Sequence, residues 1–372
     1  MGQTGSEEEK RVMCQTPAQL NTDLKAATQA QVISLSGINP INCPTLAMTG
    51  SWTGGKLFFS DSPETPTSAG KLYFDTSVPA TVGTDYHRIF LYHVNGKASG
   101  KMKFSAMIKN TGTASATLTV QKIGTSGPTT SFLYAGKLAY QRWLVSTAGT
   151  PRTVAPGAWI RVDTSFDALQ ASPGNLLHGI WDYKMDQPHE VLIVALNQND
   201  DPISVGPGLP LLARDTHDRG TFPFCDKVYD TDSGVTFDTA GDIKSFPIGG
   251  GTSPDDFAVG MDTTDGTPMT LAGNFGVNYK IHVNTISTDG KNIGIMINPR
   301  GGQWGGAVWA MAGVFPSGKI LIPPTTASTG DNTKGAVEGK YVPGAGLTIW
   351  AQFMPTGGSS FPVRCVLVPY TP

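Results

Sequence analysis

An alternation of apolar and polar residues with a period of two runs through this chain from Leu57 onward. It restricts the fold more than any other feature. Met102, Phe104, Ala106 and Ile108 alternate with Lys101, Lys103, Ser105 and Lys109. Successive side chains of a strand point to opposite faces, so this segment reads as a half-buried strand. Asn110-Thr111-Gly112 marks a turn, after which Leu118 and Val120 alternate with Thr117, Thr119 and Gln121. The two segments together predict an antiparallel hairpin with one wet face. Val191–Leu196 is a continuous apolar run, as expected of a central strand covered on both faces.

The second half keeps the style. Tyr279, Ile281 and Val283 alternate with polar residues, and Ile293, Ile295 and Ile297 form a stripe. Ile320 and Ile322 follow, then Leu347, Ile349, Ala351 and Phe353, then Val363, Cys365 and Leu367. Short strands at this spacing, with Gly or Pro between them, predict an all-β fold of two packed β-sandwich-like domains. The expected domains are 51–213 and 214–372, with the boundary in Val205–Phe222. No Ser- or Gly-rich linker separates them, so the halves should pack together. Residues 1–50 read as an N-terminal arm. Thr16-Pro17 opens its one short helix, where Leu20 and Leu24 recur four apart.

Composition agrees. Only 15% of the residues are charged, while Gly numbers 45 and Pro 27 among 372. That balance suits a turn-rich β protein. The net charge of −2 is thinly spread, which excludes the concentrated basic face that nucleic acid requires. It equally excludes a polybasic membrane contact. No apolar run approaches the roughly 18 residues of a membrane span, so no membrane insertion is expected. The start MGQTGSEEEKR is polar. The composition points to an exported protein, extracellular or at the cell surface. Cys14, Cys43, Cys225 and Cys365 form an even set with no C-x-x-C spacing, which argues against zinc. In an exported chain the expected bridges are Cys14–Cys43 and Cys225–Cys365. Buried free thiols are an equal alternative, since Cys365 shares an apolar face with Val363 and Leu367.

Candidate chemistry concentrates in two segments. Arg214, Asp215, His217, Asp218 and Arg219 fall within one short run. An Asp beside a His orients an imidazole for base chemistry. Arg with Asp is more simply a bidentate structural pair, fitting for a domain boundary. In the second segment, Gly301-Gly302 and Gly305-Gly306 flank Trp304, with Trp309 close behind. The two tryptophans offer an aromatic platform for sugar rings, against the plainer reading of a glycine-rich turn whose Trp packs on the sheet. Tyr229–Gly234 and Asp262–Gly266 resemble fragments of calcium loops but lack a closing Glu, and read as Asx turns. The histidines show no metal spacing. No G-x-S-x-G, H-E-x-x-H or G-x-G-x-x-G motif accompanies them. The expectation is therefore a non-enzymatic protein without cofactor or metal.

Several segments resemble one family of exported bacterial proteins of uncharacterised role, some of which carry a stalk domain. They are SDSPETPTSAGKLYFDT at Ser60–Thr76, RIFLYHVNG at Arg88–Gly96, KNTGTASATLTV at Lys109–Val120, LPLLARDTHDRGTF at Leu209–Phe222, GNFGVNYKI at Gly273–Ile281 and NPRGGQWGGA at Asn298–Ala307. The resemblance covers about residues 60–309. It implies export and a β-rich fold, and it implies no reaction. The expected function is an extracellular structural protein that self-associates into a filament, surface layer or matrix. The arm, from about Gly2 to Leu35, would dock on the next copy, with Leu20 and Leu24 filling apolar pockets. The alternative is a secreted carbohydrate-binding or adhesion module that binds polysaccharide through an aromatic surface.

Overall fold

A computed structural model describes residues 14–312, 319–321 and 332–372, without the side chains of 309–312 and 319–321. Residues 2–13 of the expected arm and Ile322 lie outside the described residues. Strand dominates, and among the described residues the strands form four sheets. The fold is all-β.

An eight-stranded sheet is centred on His87–Val94 and Leu176–Met185, and a four-stranded sheet on His189–Asn197 and Met102–Asn110. The two share one core containing Ile89, Leu91, Trp181, Phe104, Ile108, Val191 and Ile193. Five- and seven-stranded sheets make the second sandwich, lined by Ile281, Val283, Ile295, Ile297, Ile349 and Leu367. That second core also takes in Phe59, Phe90 and Tyr92 from the other face of the eight-stranded sheet. Residues of His87–Val94 thus alternate between two cores, which explains why every one of them is buried. Val191–Leu196 behaves alike. Val191, Ile193 and Ala195 enter one cluster, while Leu192, Val194 and Leu196 enter another.

Four expectations require correction. The predicted hairpin does not form. Met102–Asn110 pairs with His189–Asn197 in one sheet, whereas Ala116–Thr129 pairs with Leu176–Met185 in the other. The chain crosses between sheets at Thr111–Ser115, so that Phe104 and Leu118 enter one core from different sheets. The division at 213/214 does not separate sheets either. Arg219–Phe222, Ala258–Asp262 and Thr267–Leu271 extend the eight-stranded sheet, with Phe222 in register with Leu57. Met48–Thr53, which straddles the expected start of the first domain, pairs with Asp226–Thr231 in the seven-stranded sheet.

The arm is the third correction. Its helix is Ala18–Ala26. Leu20 and Leu24 are fully buried, but against their own chain, with Met296, Val366, Val368 and Tyr370 of the five-stranded sheet. Val32–Ser34 adds an edge strand beside Lys334–Tyr341 of that same sheet. The apolar side chains expected to enter a neighbouring copy therefore cover an otherwise bare face of this one.

The fourth concerns the cysteines. Cys14 and Cys43 form a disulfide, whereas Cys225 and Cys365 are free and buried. The Cys225 thiol faces the Tyr86 carbonyl at 3.6 Å, while Cys365 lines the space between Ile248 and Ile297 in the second sandwich. The two thus sit in separate surroundings. Titration of unreduced protein in denaturant is expected to count two thiols. Four would remove the bridge, and none would restore the second pair. Cys14→Ser with Cys43→Ser should cost about 2–4 kcal/mol, seen as a lower denaturation midpoint.

A second helix, Phe132–Val145, packs on Ala116–Thr129 and Leu176–Met185. It buries Ala135, Ala139, Tyr140 and Trp143. Trp143 caps a buried charge network that joins the sandwiches. Arg88 grips Asp182 in a bidentate pair at 2.7 and 3.0 Å. Its third nitrogen donates to the carbonyls of Cys225 and Gly276 at 2.6 and 3.0 Å. Asp226, on the seven-stranded sheet, lies 3.1 Å from the guanidinium, and the Trp143 ring lies 4.8 Å away.

Candidate functional site

Six segments of the chain meet at a cleft of about 250 Å³ beside the exposed start of the helix Phe132–Val145. Phe59, Phe90, Phe275 and Phe132 form its aromatic walls. Phe59 and Phe90 stack at 4.9 Å. Phe132 stands at the rim, 36% exposed. The polar side is made of Asp61, Glu64, Tyr92 and His217. Gly357 and Gly358 complete it. A Cβ at Gly357 would lie 2.2 Å from the Tyr92 ring, so only glycine lets this loop close the cleft.

Asp215 is the fastener of the polar side. It bonds Ser62 twice, accepting from the hydroxyl at 2.9 Å and donating its own N–H at 3.0 Å. Its carboxylate also accepts the N–H groups of Glu64 and His217, each at 2.9 Å. Burial works against this carboxylate, but the donors from His217, Glu64 and Ser62 outweigh it and hold its pKa below the ordinary value. His217 is then clamped between two carboxylates, with Nε2 2.7 Å from Glu64 and Nδ1 3.2 Å from Asp215. Both ring nitrogens therefore face a carboxylate.

Asp61 and Glu64 behave differently from Asp215. Burial, then the neighbouring charges of Glu64, Asp215 and Asp218, push the Asp61 carboxyl well up. Burial also raises Glu64, with His217 opposing. Asp61 Oδ1 is enclosed, yet it has no hydrogen-bond partner in the protein, and the Tyr92 hydroxyl shares that condition. Tyr92 is only 3% exposed, and burial, then the charges of Asp61 and Glu64, push its hydroxyl pKa up. Buried polar atoms are ordinarily paired. Both residues line the cleft, but these two atoms are enclosed beneath its surface.

The charged run of the sequence is split between two faces. Asp215 and His217 serve the cleft, and the Asp218 carbonyl accepts the Asp61 N–H at 3.1 Å. Arg214 and Arg219 turn away to Asp262, at 3.4 and 2.8 Å. Arg219 also donates to the carbonyls of Leu72 and Leu212, each at 2.9 Å. These arginines are structural pairs. The other Asp262 oxygen accepts the N–H of Thr264 at 3.0 Å, forming an Asx turn.

Trp304, one of the two tryptophans expected to form a platform, is not at the surface. Trp304 is 1% exposed and stacks on Phe353, the planes 10° apart. Its neighbour Gly305 bonds Ser359 through both N–H and carbonyl, at 3.2 and 3.1 Å. The glycine-rich segment thus braces the loop that carries Gly357 and Gly358. Trp309 lies in the strand Val308–Ala312, in register with Gln352. Its side chain lies outside the described residues.

A scan against protein-family models returns no match. A search of the curated proteins returns none. Among the described residues, no helix is long and apolar enough to cross a membrane.

Proposed function

We propose that this protein is an exported, non-enzymatic binding module whose cleft holds one ring of a polysaccharide. The observation that carries this reading is the cleft itself, in which Phe59, Phe90, Phe132 and Phe275 share the lining with Asp61, Glu64, Tyr92 and His217. A sugar ring presents C–H groups to aromatic faces and hydroxyls to carboxylates, which is the chemistry these walls offer. The volume lies just below the roughly 300–1,000 Å³ of ordinary small-molecule pockets, so a single ring or chain end is the matching size. The Cys14–Cys43 bridge supports an oxidising compartment. Leu20 and Leu24, expected to fill pockets on a neighbouring copy, are instead packed within the chain.

Phe132 provides the test, because its partial exposure makes it safe to truncate. Phe132→Ala should leave the denaturation midpoint within about 0.5 kcal/mol of wild type. It should weaken binding to whichever oligosaccharide a glycan array identifies, by about tenfold. Failure of the wild type to bind any glycan would remove the reading.

A further inference from the structure

We propose that a second groove, at the edge of the second sandwich, binds a small organic carboxylate through Arg364 and Tyr229. The groove measures about 450 Å³, inside the usual range of small-molecule pockets. It opens where two edge strands part. Lys244–Ile248 ends the five-stranded sheet, and Met48–Thr53 ends the seven-stranded one. Pro247 lines the groove from the first and Met48 from the second, with Tyr229 on the strand paired to Met48–Thr53. The loop Thr252–Pro254 forms a further wall. No lining residue is shared with the cleft of Phe59 and Asp61.

Arg364 is 8% exposed, and an arginine so covered is ordinarily paired with an anion. Among the described residues it has no carboxylate partner, and the charges that act on it are those of Arg300, Tyr229 and Cys365. Its Nε donates to the Ser245 hydroxyl at 2.8 Å and its Nη2 to the Ser245 carbonyl at 3.3 Å. The Ser245 hydroxyl spends its own proton on the Pro40 carbonyl at 2.8 Å. These bonds fix the guanidinium in place and leave its charge uncompensated. A guanidinium has five N–H donors, so three remain. Nη1 and the Tyr229 hydroxyl are unpartnered among the described residues, and neither belongs to the enclosed atoms, so both keep surface at the groove that their residues line. Burial, then the like charge of Arg300, pull the Arg364 pKa below its ordinary value. A bound anion offsets both. One uncompensated cation calls for one negative charge, and a carboxylate brings that charge on two coplanar oxygens that match a guanidinium edge. A phosphate dianion would instead meet Asp232, which shares the wall and accepts from the Thr49 hydroxyl. Leu46, Met48, Pro247 and Pro254 offer apolar contact to a carbon skeleton. An acidic sugar and a short fatty acid both carry this chemistry.

The test is calorimetric titration of the full chain at pH 7 with sodium glucuronate, sodium hexanoate, glucose and inorganic phosphate. At least one of the two acids should bind about tenfold more tightly than glucose and phosphate, the effect of one charge-assisted hydrogen bond. The tighter acid identifies the source. Arg364→Gln keeps a donor for Ser245 and removes the charge, and should weaken that acid by about tenfold or more. Tyr229→Phe keeps the ring against Phe246 and Tyr279, and should weaken it severalfold. This second variant carries the test if Arg364→Gln does not fold. Failure of both acids to bind more tightly than glucose overturns the proposal. Phosphate that matches the tighter acid overturns the carboxylate in favour of an unselective anion site. Acid binding that is unchanged in Arg364→Gln, or in Tyr229→Phe where only that variant folds, overturns the assignment to this groove.

Discussion

Glu338→Met is expected to stabilise the protein by about 1–3 kcal/mol at pH 7, the usual cost of an unsatisfied buried polar group. Glu338 is buried inside the second sandwich, and neither carboxyl oxygen has a hydrogen-bond partner in the protein. Its surroundings are Ile281, Ile295, Ile297, Ile349 and Phe353. The space beside it is about 30 Å³, so methionine, of similar length, fits without overpacking. The local backbone explains how a carboxyl came to face inward. Ile295 pairs with Gly339 and Met296 with Val337, which leaves Glu338 as the extra residue of a β-bulge. The bulge resets the alternation. Lys340 emerges on the arm side, donating to the carbonyls of Leu24 and Lys25 at 3.2 and 3.1 Å, while Tyr341 packs on the core.

The same residue sets a pH dependence with a definite sign. Burial raises the Glu338 pKa well above that of an exposed glutamate. The folded state therefore holds this proton at a pH where the unfolded chain has released it. Stability from this group is fully present below the unfolded value, about 4.3, and is lost as pH rises toward the folded value. The advantage of Glu338→Met over wild type should accordingly be small near pH 4 and grow toward neutrality, by at most about 1.4 kcal/mol per pH unit. Urea midpoints of both proteins between pH 4 and 8 decide the matter. A constant difference across that range, or a less stable variant, means the carboxyl is satisfied in solution.

The sequence made the strands legible because alternation is local and the buried faces here are mainly apolar. Sheet membership was not legible. Met102–Asn110 and Ala116–Thr129 have the pattern of a hairpin, and only the rest of the molecule places them in different sheets. The helix Phe132–Val145 was missed because the inward face of its first turns is small, with Ala135, Gly136 and Ala139 reading as turn residues. Their spacing with Tyr140 and Trp143, at intervals of three and four, is the signal that could have found it. At the candidate site the charged run around His217 stood out, and its flanking arginines proved to be structural. Asp61, Tyr92 and Phe275 lie within the segments of family resemblance, yet nothing local distinguishes them. Their meaning comes from proximity, and proximity between residues 61 and 275 is a tertiary fact. Trp304 misled for the opposite reason. Glycines around Trp304 suggested an exposed platform, when close packing against the loop at Ser359 was what required them.

Arg88→Met is expected to be the most damaging single substitution, costing about 3–5 kcal/mol. Arg88 is fully buried and serves Asp182, Asp226 and two backbone carbonyls at once. Removing it leaves Asp182 in a dry site with its strongest partner gone. Burial already draws the Asp182 carboxyl upward, with Arg88 as the main opposing influence. Asp226 fares better, since Lys280 lies 2.7 Å away and the Tyr86 hydroxyl donates to it. Arg88→Lys should lose nearly as much as Arg88→Met, because one ammonium cannot span the fork to Asp182 and the carbonyls of Cys225 and Gly276 together. Adding Asp182→Leu to Arg88→Met should recover part of the loss, because the double variant no longer buries that uncompensated carboxyl. The network joins strands of the eight- and seven-stranded sheets, so its loss bears on the union of the two sandwiches as well as on either core. Guanidinium denaturation followed by both tryptophan fluorescence and far-ultraviolet circular dichroism reads this directly. Arg88→Met should shift the midpoint down and separate the two transitions. A midpoint within 1 kcal/mol of wild type, with the two probes still coincident, would show that the charge network is not what holds the halves together.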